Sequence, residues 1–125
     1  VTALDAQARV IQGLIPVIAD ASVTRLVPDD LSMPAVVVQQ GRAGTSDGIT
    51  STAFLDVKAY HQTRDGAVAL AQEARTAVLS QAHRTLPDGT GLIDTASVES
   101  EPVEMFYSPD VTLYVATYRI ASRDQ

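Results

Sequence analysis

The chain has 125 residues, a length that one hydrophobic core can serve, and residues 1–125 read as a single domain. Hydrophobic residues make up 46% and charged residues 19%, and there is no Trp, so the chain is globular with a core built mainly from aliphatic side chains. The absence of Cys excludes disulfides, thiolate metal sites and Cys nucleophiles. A net charge of −6, with basic residues scattered singly, argues against a grip on nucleic acid, which needs a positive patch.

Val1 to Asp20 has no basic region ahead of an apolar stretch. The longest apolar stretches, Leu14 to Ala19 and Ala35 to Val38, are too short to span a bilayer, so no membrane partner is expected.

Thr2 to Gly13 reads as a first helix, with Thr2 and Asp5 placed as a capping pair and Leu4, Ala8, Ile11 and Ile15 forming an apolar stripe. Pro16 ends or kinks it. Val23 to Val27 is a short strand closed by the turn Pro28-Asp29-Asp30, and Ala35 to Gln40 is a strand covered on both faces. Gly41 to Ser51 then reads as a mobile arm, long for a plain hairpin.

Thr52 to His61 alternates, with Ala53, Leu55, Val57 and Ala59 facing a core and Phe54, Asp56, Lys58 and Tyr60 facing a wetter surface. Arg64 to Gln81 is the clearest helix, striped by Ala67, Leu70, Ala71, Ala74, Ala77 and Val78. After the turn Pro87-Asp88-Gly89, Leu92 to Val98 begins a strand, and Pro102 to Asp110 reads as a loop carrying Met105, Phe106 and Tyr107. Val111 to Ser122 is apolar on both sides and reads as a central strand. The order α-β-β-β-α-β-β predicts an α+β fold, a mostly antiparallel sheet of about five strands packed by two helices.

The carboxylates and histidines do not assemble into a reaction centre. Asp29-Asp30 lies in a turn that favours Asp for local hydrogen bonding, and Glu99, Glu101 and Glu104 read as an acidic edge that discourages aggregation. His61 and His83 lack metal-ligand spacing, and no Gly-x-Ser-x-Gly elbow is present. Gly41 to Gly48 looks like a phosphate loop but lacks the Lys-Ser/Thr ending and the helix that should follow. No catalytic, cofactor or metal residue is assigned, and the expectation is a contact-making protein rather than an enzyme. Met105, Phe106 and Tyr107 either tuck into the core or anchor a partner.

The element order and three phrases carry a resemblance: Pro34-Ala35-Val36-Val37-Val38, Phe54-Leu55-Asp56-Val57-Lys58-Ala59-Tyr60, and Tyr114-Val115-Ala116-Thr117-Tyr118-Arg119-Ile120. From about Thr2 to Arg123 the chain resembles the tail-terminator, or tail-completion, proteins of long-tailed bacteriophages. The resemblance implies a homo-oligomeric ring, usually a hexamer, at the head–tail junction of a virion assembled in the bacterial cytoplasm. Its implied partners are the tail-tube protein, the head-completion (stopper) protein, and double-stranded DNA that passes through the lumen unheld. Within that reading Arg42, Thr45 and Asp47 of the arm, with Met105, Phe106 and Tyr107, are expected assembly contacts. The alternatives are another head–tail connector, a tail-tube subunit, or a small ligand-binding domain or enzyme.

Overall fold

The computed structural model of the chain describes residues 10–11, 13–15, 18, 21–25, 34–46, 50–81 and 93–123. In chain order they form β1 (Ser22–Thr24), β2 (Ala35–Ser46), β3 (Thr50–His61), α1 (Arg64–Leu79), β4 (Ile93–Ser108) and β5 (Val111–Arg123). The strands make one five-stranded sheet in the order β1-β2-β3-β5-β4. Only the β1–β2 pair is parallel. This is the expected α+β fold. The expected pair of helices is met in part: α1 is complete, and of Thr2 to Gly13 the described residues 10, 11 and 13 are helical.

The alternation of β3 sets the layers. Leu55, Val57 and Ala59 face α1, joined from neighbouring strands by Val36, Val38, Tyr114, Ala116, Tyr118 and Ile120. The small-residue stripe of α1 closes this cluster, because alanines let a helix axis approach a sheet without overpacking it. Val10, Leu14 and Ile18 fill its remaining side. On the opposite face Ala35, Val37, Tyr60 and Leu113 form a smaller cluster. β2 is therefore buried on both faces from Ala35 to Val38, as its unbroken apolar run requires.

Three elements depart from expectation. β1 is shorter than Val23 to Val27 and starts one residue earlier; Leu26 and Val27 lie outside the described residues, as do the Pro28 and Pro87 turns and His83. Of the Gly41–Ser51 arm, the described residues 41–46 and 50–51 are paired strand and not a loose connection: β2 continues to Ser46 and β3 begins at Thr50, with Arg42 opposite Phe54 and Thr45 opposite Thr52. Residues 47–49 lie outside the described residues. Cross-strand pairing supplies what the weak strand propensity of Gly, Thr and Ser does not, and the glycines are accommodated by register shifts at Gln40/Arg42 and Arg42/Thr45.

The Pro102–Asp110 loop is likewise strand as far as Ser108, and only Pro109 and Asp110 turn. Pro102 survives there because β4 is an edge strand with no partner on its outer side among the described residues, so a missing N–H breaks no ladder bond there.

Candidate assembly interface

β4 carries four large apolar side chains in the open. Val103 is 56% exposed, Met105 54%, Phe106 85% and Tyr107 43%. The first three belong to the regular part of the strand, where Val103, Glu104, Met105 and Phe106 pair without interruption with Val115, Tyr114, Leu113 and Thr112, and Tyr107 falls in a register shift between Phe106 and Ser108. Strand alternation puts Met105 and Val103 on the face of Tyr60, and Phe106 on the other. Tyr107 is held in place: its ring meets that of Tyr60 edge to face, with centroids 5.1 Å apart and planes at 83°. A shallow hollow of about 510 Å³ runs along this end of the β4–β5 hairpin, between Phe106 and Thr112.

The chain before Val103 has a different character. Register shifts fall between Val98 and Ser100 and between Ser100 and Val103, Pro102 interrupts the donors, and Glu99 and Glu101 are exposed. The Glu101 carboxylate accepts a hydrogen bond from Arg75 Nε of α1 at 3.1 Å, tying this half of β4 to the helix. Bulges, proline and like charge are the devices that stop an edge strand from pairing with strangers. Here they are densest in the middle of β4, and within the stretch from Val103 to Phe106 only Glu104 remains.

Of the expected contact residues, Arg42 and Thr45 sit on the distal half of β2, and Asp47 lies outside the described residues. Within one chain β2 does not meet Met105, Phe106 and Tyr107, since β3 and β5 stand between β2 and β4. Sequence reasoning missed Val103. The signal was present: Val103, Met105 and Tyr107 are two apart, the spacing of one strand face, and Pro102 ahead of them marks an edge.

Elsewhere the polar groups serve the fold. His61 Nδ1 accepts from the Thr63 backbone N–H at 3.2 Å, and the Thr63 hydroxyl accepts from Gly66 N–H at 3.1 Å, so both build the start of α1. Thr117 donates to Asp56 Oδ1 at 2.7 Å across β5 and β3. Burial pushes the Tyr60 phenol up, and Tyr107 adds to the shift. A smaller hollow of about 200 Å³ beside α1 places His61 and Glu73 among walls such as Ile18, Pro34 and Leu70. Among the described residues no group of three or more His, Asp or Glu could hold a metal ion, and no helix is long and apolar enough to cross a membrane.

No family model and no curated protein matches the sequence. Among solved structures, a chain from the virion of a native gene transfer agent (GTA) particle is similar over 97% of this chain and 95% of that one, with a TM-score of 0.66 at 17% identity. The two share a fold. At that identity the likeness speaks for architecture across nearly the whole length, and the side chains on the open β4 edge are this chain's own.

Proposed function

We propose that the chain is a structural protein of a phage-like virion particle and that it acts as a tail terminator. In this role copies of the chain form a ring, six in the form the resemblance implies, seated on the last ring of the tail tube. One surface ends tube growth, the other receives the head-completion proteins, and the duplex slides through the lumen. The observation that carries the reading is the near end-to-end likeness in fold to a chain of a GTA virion.

Two further features support it. The open apolar end of β4 suits a protein that lives among neighbours, because an exposed patch of this kind is a contact surface waiting to be covered. A net charge of −6 repels a passing duplex rather than holding it. Arg42 and Thr45 on β2 and Asp47 of the sequence, with Met105, Phe106 and Tyr107 on β4, are the proposed assembly contacts.

A second reading, a tail-tube subunit, draws on one observation: β2 and β3 are 12 residues each, longer than the sequence suggested, and form an extended hairpin. Solution mass followed by negative-stain imaging separates the two, alone and with tail-tube protein added. A terminator gives single rings of uniform diameter, alone or on the ends of tubes, and halts tube growth. A tube subunit stacks into tubes by itself. A strict monomer that never binds tubes overturns both.

A further inference from the structure

The sheet has two open edges, and they differ. At one end β1 covers β2 only at Ala35, Val36 and Val37, so from Gln39 to Ser46 the outer side of β2 has no strand partner among the described residues. At the other end is the regular, apolar stretch of β4 from Val103 to Phe106. We propose that the β4 edge of one copy takes the Gln39–Ser46 part of β2 from a second copy as an added strand, so that the sheet runs on from chain to chain. This inference rests on the ring reading above and names the contact that would close the ring.

Three observations select this occupant. The first is charge: the Val103–Phe106 stretch carries Glu104, with Glu101 just before it held by Arg75, whereas Gln39 to Ser46 holds Arg42 and no carboxylate. Pairing β4 with a second β4 would set acidic residues against each other, and like charges across a strand pair are unfavourable. The second is size. β4 offers Val103, Met105 and Phe106, while β2 offers Gly41, Ala43 and Gly44, and large side chains over glycine make compatible cross-strand neighbours.

The third is symmetry. Two different edges joined head to tail make a heterologous contact, which closes into a ring if each step turns the sheet by a fixed angle. Register shifts in β2 at Gln40/Arg42 and Arg42/Thr45 are irregularities of the kind that raise strand twist, which favours a turned step over a flat one.

The chain has no Cys, so the contact can be read by introducing pairs. Gln39→Cys, Ala43→Cys or Thr45→Cys is combined with Met105→Cys in the full chain, and the proteins are mildly oxidised. Within one chain β2 and β4 are three strand spacings apart, roughly 14 Å, beyond the ~7 Å limit for a disulfide between Cα atoms. A bond therefore reports two copies. The expected result is a ladder of covalent oligomers from at least one double variant and none from the single variants. Adding Phe106→Ser to that variant should lower the yield roughly tenfold.

Oligomers by mass with no ladder from any pair would leave the ring standing and overturn this contact. Dimers from Met105→Cys alone would overturn it too, by showing β4 paired with itself. Monomers under every condition, with and without tail-tube protein, would remove the ring and this contact together.

Discussion

The ring of Tyr118 is buried in the cluster beneath α1, yet its hydroxyl has no hydrogen-bond partner among the described residues. An unmet buried hydroxyl costs about 1–3 kcal/mol, so Tyr118→Phe should stabilise the protein by about 1 kcal/mol in urea unfolding. The phenol is pushed up to about 12 by burial; Arg75 opposes the shift and Glu101 adds to it. The folded state thus holds this proton more tightly than the unfolded chain does. Stability is kept in full below the ordinary phenol value near 10 and lost as pH rises toward 12. Tyr60 is shifted in the same direction, so Tyr118→Phe should flatten the loss in that window without abolishing it. An unchanged pH slope in the variant would contradict this.

Gln81 is buried, and its Nε2 donates to the Val10 carbonyl at 3.2 Å, pinning the N-terminal helical residues to the end of α1. A Cβ at Gly13 would stand 2.4 Å from the Gln81 amide and displace it. Gly13→Ala should therefore destabilise the protein by about 1 kcal/mol, the worth of the displaced hydrogen bond. In a Gln81→Ala background the space is free, and the same change should stabilise by about 1 kcal/mol through helix propensity. A thermal-unfolding double-mutant cycle reads that reversal of sign.

The start of α1 is local in every part. Thr63 caps it, His61 accepts the Thr63 N–H, and Gly66 leaves room for the His61 ring, which a Cβ there would meet at 2.4 Å. Thr63→Ala should cost about 1 kcal/mol by urea titration, with the sheet untouched. The body of α1 was legible beforehand because its apolar residues recur at helical spacing, and all six stripe residues are buried. β3 was legible for the equivalent reason, a strict period of two, except that Tyr60, expected on the wetter face, is buried with Ala35, Val37 and Leu113. β2 beyond Gln40 and β4 beyond Glu101 were not. Glycine, threonine, glutamate and proline carry little periodicity, and their strand state comes from β3 and β5 alongside them.

Across the whole molecule, the bare end of β4 is the feature that the monomer does not use. Phe106→Ser should leave unfolding within about 0.5 kcal/mol of the parent, because the ring is exposed. Self-association, followed by sedimentation, should weaken in the same variant. A large loss of monomer stability instead would mean that the ring packs within its own chain. Met105, Phe106 and Tyr107 of the candidate interface were named from composition, as large apolar groups between prolines, and Val103 was not. Their placement as a strand edge was not, since which strand lies outermost depends on the order β1-β2-β3-β5-β4.

Composition excluded thiol chemistry, and periodicity supplied the helix, the alternating β3 and the doubly apolar β2 and β5; both properties reside in neighbouring residues and survive without a partner. The tertiary structure decided where strands end, that the Gly-rich arm and the Met-Phe-Tyr segment are paired backbone, and which edges stay open. Those outcomes depend on which strands pair and in what register, including partners far apart in the chain such as Val57 with Ala116, and no local pattern encodes them.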